Sequence, residues 1–425
     1  MFADAAPMPH AMRIWRFRVF AATWLSYVGF YYCRKPFSIA KSAMGQEAGF
    51  DATTLGNIGA AYLIAYAIGQ FLASGLGTRV GPRVNLLLGM TLSVLVSLCF
   101  GLTLSAPLLI GLMAANGIAQ ATGWSGNVGT MAAWFRKAER GKIMGIWATN
   151  FTIGALTATW FASWALGKWG WRGAFYSGAV VLVAVILFFV FNQRNSPEDA
   201  GLVALEDPAE APSDGAEAPS ALASLNRAAI TNILLVGGFY FFAKLIRYAI
   251  WSWVPFFLER NYGLKGDDAG YYSTMFDLCG IPGVIVTGWL SDRFFRSKRA
   301  GISLIMVLAM TASCGLLYLV GSSSVTVFAL CLGLVGFTLY GPDALMTGAG
   351  AMDIGSRRAA VLASGLISGL GSLGPVVQEL VIGKMYDSKD GDLGPIFLLL
   401  FGSAAMAAVF CAALVYRAKT GRSSV

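Results

Sequence analysis

Six ionisable residues stand in stretches too apolar to hydrate them: Arg34, Lys35, Lys244, Arg247, Asp277 and Asp343. A charge inside a membrane helix is costly, so its default reading is a working group facing a cavity. Tyr240, Lys244, Arg247 and Trp251 recur at i, i+4, i+7 and i+11, one helix face, and Tyr27, Tyr31 and Arg34 share another. Each set offers a cation with aromatic neighbours. Guanidinium groups bind phosphate through two parallel hydrogen bonds and stay charged when desolvated. The chemistry this suits is capture of an oxyanion, above all a phosphate dianion gripped by one arginine from each half of the chain. Plainer roles compete: Arg34 and Lys35 can snorkel to the membrane surface. Lys244 can simply neutralise Asp277 or Asp343, Trp124 can be a packing residue, and Asn150 fits either reading.

Catalytic chemistry finds little support. The only histidine is His10, in the amino-terminal tail, and the six cysteines lie inside apolar spans with no disulfide or metal spacing. No nucleophile–base pair, metal cluster or nucleotide-binding loop occurs, so no enzyme, metal or cofactor is expected.

The elements that position these residues are membrane helices. The chain has 425 residues, of which 56% are hydrophobic and 12% charged, against about 25% charged in a soluble domain. Apolar blocks of about 20 residues span a bilayer, and lipid leaves helices as the way to satisfy the backbone where no strand alternation shows. The fold class is an all-α polytopic membrane protein with about twelve helices. The spans are near 17–43, 53–76, 84–104, 107–133, 141–165, 173–191, 228–258, 268–290, 301–321, 325–351, 359–385 and 393–416. The first block is too long for a signal-peptide core and stays as a helix.

The net charge of +9 is a topology signal and implies no nucleic-acid partner. Arg79, Arg83, Arg136, Arg194, Arg293, Arg357 and many others fall on one side, and the opposite side keeps only Lys41, Lys168, Arg172, Arg260, Lys265, Lys384 and Lys389. That bias puts both termini in the cytoplasm.

Residues 193–227 turn abruptly to Pro, Ala, Ser, Glu and Asp, the composition of a cytoplasmic linker. It separates a six-helix bundle at 17–192 from another at 228–416, with tails at 1–16 and 417–425. The halves echo each other. Arg34 precedes Arg79 by nearly the distance that separates Arg247 from Arg293, and the bend at Gly123–Gly126 corresponds to Tyr340-Gly341-Pro342-Asp343. Parallel six-helix repeats around a central site are the architecture of facilitator-type transporters.

The run Tyr31-Tyr32-Cys33-Arg34-Lys35-Pro36-Phe37 resembles the first helix of the organophosphate:phosphate antiporters of the major facilitator superfamily, which include glycerol-3-phosphate and hexose-phosphate transporters and eukaryotic sugar-phosphate exchangers. Gly123-Trp124, Trp134-Phe135 to Arg140-Gly141, Arg247-Tyr248, Gly280-Ile281-Pro282-Gly283, Gly288-Trp289-Leu290-Ser291-Asp292-Arg293 and Tyr340-Gly341-Pro342 match in order, covering nearly everything but tails and linker. The resemblance implies that Arg34 and Arg247 bind the substrate phosphate, that Tyr27, Tyr31 and Trp124 line its cavity, and that Asp292 and Arg293 belong to the superfamily's conserved loop. Lys35, Asp277 and Asp343, with Asp292 and Arg293, are the expected charge-pair or gating residues. Lys244 and Asn150 join the expected substrate set.

Departures leave the organic moiety open. Phe151 stands where the bacterial transporters carry a histidine, Gln70 where they carry a lysine, and Lys244 where tyrosine is usual; Gly75–Arg79 has lost the loop's acidic residue. The implied activity is exchange of a phosphorylated metabolite for inorganic phosphate by a monomeric carrier in a bacterial inner membrane. Exchange would be obligatory if two uncompensated cations repel in the empty carrier. A membrane-embedded sugar-phosphate sensor and a carrier of another anion, such as a phosphonate or carboxylate, are the alternatives.

Overall fold

A computed structural model describes residues 10–203, 227–294, 299–346 and 357–420. Among them every long element is helical and none is a strand. In chain order the helices are α1 (His10–Tyr32), α2 (Lys35–Ala48), α3 (Ala52–Phe100), α4 (Ala106–Trp134), α5 (Lys137–Trp147) and α6 (Asn150–Asn192). The second half holds α7 (Arg227–Arg260), α8 (Gly266–Ser273), α9 (Met275–Phe294), α10 (Arg299–Val320), α11 (Val325–Ala344), α12 (Arg357–Ser388) and α13 (Gly394–Lys419).

The twelve expected spans fall on these helices, as far as the described residues reach, although ends and breaks differ. α3 carries two spans joined at Gly81, whose φ of 81° is open to glycine, with Pro82 next. α6 reverses in the same way at Gly170, φ 70°. Conversely, the first expected span divides into α1 and α2, the fifth breaks between α5 and α6, and the eighth is α8 plus α9. Nine helical stretches among the described residues are long and apolar enough to cross a membrane. Large apolar side chains point outward along them, Phe71, Val180, Ile285 and Leu319 among them, as lipid-facing surfaces require and soluble surfaces avoid.

Two compact units result: one of Met1–Pro36 with Ile64–Ala216, the other of Phe37–Leu63 with Glu217–Val425. In the first, α1 packs on α6 and α4, around Phe30, Leu86, Met90, Leu182 and Phe189. In the second, α9 packs on α11, α7 on α12 and α10 on α13. Between helices in lipid the drive is close contact, and small residues permit it. The Gly280-Ile281-Pro282-Gly283 motif serves this end. A Cβ on Gly283 would come within 2.1 Å of the Phe337 carbonyl, and one on Gly336 within 2.0 Å of that of Phe276. The α9–α11 contact is thus backbone against backbone. Of the expected linker, 204–226 lies outside the described residues, as do 347–351 at the end of the tenth span.

Candidate functional site

Arg34 stands in the turn between α1 and α2. Pro36 causes that turn, since it has no N–H to give the Tyr32 carbonyl four residues back. The amides of Cys33 and Arg34 bond instead to Phe30 and Tyr31, three residues back, at 3.2 and 3.1 Å. Gly178 approaches so closely that a Cβ there would sit 2.1 Å from the Tyr32 oxygen. The break aims Arg34 at α4: its Nε donates to Gln120 Oε1 at 2.8 Å. A ladder of neutral groups follows. Gln120 Nε2 donates to Asn116 Oδ1 at 3.1 Å, Ser93 Oγ to the same oxygen at 3.0 Å, and Asn116 Nδ2 to the Cys33 carbonyl at 3.0 Å. The guanidinium lies 4.8 Å over the Tyr31 ring and 5.4 Å over Tyr66. Lys35 is buried beside it in sequence, without the surface position that snorkelling requires.

Two turns before Arg34, Tyr27 is the hub of an aromatic cluster. Its ring centroid is 5.0 Å from Phe151, 5.7 Å from Trp147, and 6.1 Å from both Trp124 and Tyr31. The three expected cavity residues are therefore brought together, with Phe151 among them. Trp124 keeps 40% of its surface exposed, more than a packing residue needs. Asn150, at the start of α6, is fully buried, and neither polar atom of its side chain finds a partner among the described residues. A buried amide left unpaired costs free energy, and Asn150 precedes Phe151 of the cluster in sequence.

The second unit answers with a different construction. Arg247, mid-α7, forms an ion pair with Asp343 of α11; the two side chains are only 15% and 9% exposed. The Arg247 guanidinium lies 4.7 Å over Tyr340 and 5.8 Å from the Trp251 ring. Those same two rings hold Asp277: Trp251 Nε1 donates to its Oδ1 at 2.9 Å and the Tyr340 hydroxyl donates to that oxygen as well. Asp277 is in the first turn of α9, where the helix dipole favours a carboxylate. Arg247 Nε is buried and has no hydrogen-bond partner among the described residues.

Lys244 is expected to balance Asp277 or Asp343. In the structure both carboxylates are engaged as just described, and Lys244 Nζ instead donates to Ser372 Oγ at 3.4 Å and sits 4.5 Å over Tyr240. The picture of two uncompensated cations also changes, because Asp343 neutralises Arg247. Arg293 is exposed in the last turn of α9, where a cation suits the dipole. Asp292 precedes it in the helix, and its side chain lies outside the described residues.

Sequence reading missed a second ion pair. The charge bias of the sequence places Lys41 on the outer aqueous side, yet its side chain is completely buried on α2 and binds Glu379 Oε2 of α12 at 3.1 Å. Ser252 Oγ accepts from Lys41 at 2.7 Å and donates to the other carboxylate oxygen, while Trp253 lies 3.8 Å under the ammonium. The available signal was Glu379 itself, one acid within an apolar span. Gln120 and Asn116, four residues apart in the fourth span, were equally visible as polar residues on one helix face.

Comparison with known proteins follows the same lines. The sequence pattern of the Major Facilitator Superfamily matches residues 19–378. A glycerol-3-phosphate transporter of Bacillus subtilis (strain 168) is 29% identical over 96% of this chain and 94% of its own. A probable hexose phosphate transport protein of Chlamydia pneumoniae is 26% identical over 88% and 86%, and a glucose-6-phosphate exchanger of Homo sapiens 27% identical over 95% of each. These are the kinds of protein the sequence resembles. Among solved structures, a D-xylose-proton symporter superimposes with a TM-score of 0.74 at 15% identity, over 93% of this chain and 97% of that one, a likeness of fold. Match and fold agree over almost the whole chain, which belongs to the Major Facilitator Superfamily.

Proposed function

We propose that this multi-pass membrane protein is a secondary transporter that exchanges a phosphorylated small metabolite for inorganic phosphate by alternating access, in a bacterial cell membrane with both termini cytoplasmic. The observation that carries the reading is the matched pair of arginines. Arg34 and Arg247 occupy corresponding places in the two sequence repeats, and each guanidinium lies against an aromatic face, 4.8 Å over Tyr31 and 4.7 Å over Tyr340. Each suits a phosphoryl group, because a guanidinium gives an oxyanion two parallel charged hydrogen bonds. Relatives named for glycerol-3-phosphate, hexose phosphate and glucose-6-phosphate share the phosphoryl group and differ in the rest. Tyr27, Trp124, Phe151 and Asn150 are the residues that read the organic part.

Proteoliposomes loaded with labelled phosphate test this directly. Phosphate outside should accelerate efflux strongly, with sodium present or absent, and a panel of phosphorylated metabolites should substitute for it selectively. Efflux equally fast into anion-free buffer would make the protein a uniporter or symporter.

A further inference from the structure

We propose that Asp343 is the resident anion of the phosphate site. It occupies Arg247 when substrate is absent and takes up a proton when phosphate displaces it. The inference rests on the reading of Arg247 as a phosphate ligand.

Three observations support it. The ion pair is formed by side chains that are largely withdrawn from solvent, so neither charge is screened by bulk water. The other acid nearby, Asp277, is held by Trp251 and the Tyr340 hydroxyl. The aromatic pair that shields Arg247 is thus anchored by a different carboxylate, and Asp343 can leave without dismantling it. Third, Arg247 Nε is a buried donor with no partner among the described residues. The carboxylate therefore leaves part of the guanidinium fork unused, as a stand-in for a larger oxyanion would.

The proton balance follows. Phosphate arriving at Arg247 breaks the guanidinium–carboxylate contact and leaves a carboxylate beside a phosphate oxygen in a poorly hydrated place. Two anions so close favour protonation of one. Asp343 accepts one proton from solvent, becomes a neutral acid, and can then donate a hydrogen bond to the phosphate. On release it returns that proton and recovers Arg247. The charged and titratable neighbours among the described residues are these. From α7 the neighbours are Arg247 and, one turn away, Lys244; from α9, Asp277, reached through Tyr340; from α11 itself, Tyr340. Of the elements packed on α11, α8 carries Asp267, Asp268, Tyr271 and Tyr272, α9 also Cys279 and Arg293, and α10 Arg299, Cys314 and Tyr318. Cys331, near the start of α11, is on the order of 18 Å along the helix from Asp343.

The experiment measures binding of inorganic phosphate to purified full-length protein between about pH 5.5 and 8.5, a range above the ordinary carboxylate pKa. Wild type is compared with Asp343→Asn, Asp343→Glu and Arg247→Gln. Ionisation of phosphate itself is common to all and cancels in the ratios. Asp343→Asn should bind more tightly than wild type at high pH, and the advantage should grow with pH towards about tenfold per unit, the limit for one linked proton. Asp343→Glu should retain the wild-type slope. Where the Asn variant fails to fold, calorimetry of wild type in buffers of differing ionisation enthalpy should show about one proton taken up per site beyond that due to phosphate. A ratio flat with pH, or no extra proton, overturns the role of Asp343. Wild-type affinity in Arg247→Gln overturns the phosphate site at Arg247 instead.

Discussion

The two arginines that the repeats hold in common are set against opposite kinds of partner. Arg34 stands at a helix break, and its Nε meets the amide oxygen of Gln120, backed by Asn116 and Ser93. Arg247 stands in an unbroken stretch of α7 and faces the carboxylate of Asp343. Neutral dipoles orient a cation and leave its charge in place, whereas a carboxylate cancels it and must be moved or protonated before another anion can bind. The repeat has kept the arginine proposed to recognise phosphate and changed what stands against it. On this reading the carboxylate beside Arg247 makes its attraction for another anion conditional.

The largest effect should come from removing the fork itself. Arg34→Lys and Arg247→Lys keep the charge and lose the bidentate geometry. Two weakened charged hydrogen bonds are worth about 3–6 kcal/mol, enough to make phosphate exchange in proteoliposomes undetectable while the protein stays folded. Near-normal exchange in both variants would remove phosphate recognition from the comparison altogether.

The buried pair Lys41–Glu379 shows what an ion pair does when its carboxylate has no exit. Glu379 is hemmed in: a Cβ on Gly59 would be 2.8 Å from its carboxyl carbon, and one on Gly56 2.4 Å from its carbonyl oxygen. Removing one partner of such a pair costs about 3–5 kcal/mol because the other is left charged and buried. Thermal unfolding in detergent should therefore show Lys41→Met and Glu379→Gln each strongly destabilised, and the double variant much less so than their sum. Strictly additive losses would mean the two charges are not coupled.

Converting the first site towards the second gives a test of intermediate size. Gln120→Glu puts a carboxylate where Arg34 now has an amide, and phosphate binding should weaken by roughly tenfold near neutral pH, in keeping with 1–3 kcal/mol for a competing charged contact. It should recover as pH falls. Unchanged phosphate affinity across that range would show that the partner of the arginine does not tune it.

Much of this was legible in the sequence, for identifiable reasons. Spans are read from long apolar runs, and Arg34, Arg247, Tyr27, Tyr31 and Trp124 could be grouped because helical periodicity puts them on shared faces. Pairing across helices carries no such signal. Asp277 meets Tyr340 where glycines at 283 and 336 bring α9 against α11, and Asp343 meets Arg247 across α7 and α11, distances no spacing encodes. Lys41 was misplaced because a lysine near the end of an apolar run reads as a surface group, and its partner Glu379 is more than 300 residues away in sequence.

The smallest effect belongs to a carboxylate outside the membrane spans, and it guards the interpretation of the others. Asp51 precedes α3 and accepts from the Thr54 amide at 2.8 Å. Asp387 covers the amides of Ala52 and Thr53 at 3.0 and 2.7 Å, so the helix start is capped twice. The bonds from the Thr54 side chain and amide hold the Asp51 pKa below its ordinary value. A carboxylate depressed in the folded state contributes its stability above the unfolded value of about 3.9 and loses it as pH falls through the folded one. That window lies well below neutrality. Asp51 is exposed, and Asp387 shares the cap, so Asp51→Ala should cost about 0.5–1 kcal/mol at most and Asp51→Asn less. Between about pH 5.5 and 8.5 both should show the wild-type pH dependence of phosphate binding and of thermal stability, because the group does not titrate there. If Asp51→Asn flattened the phosphate slope as Asp343→Asn is expected to, the slope would be a general response of acidic residues to the medium, and the distinction drawn between the Arg247 and Arg34 sites would lose its pH evidence.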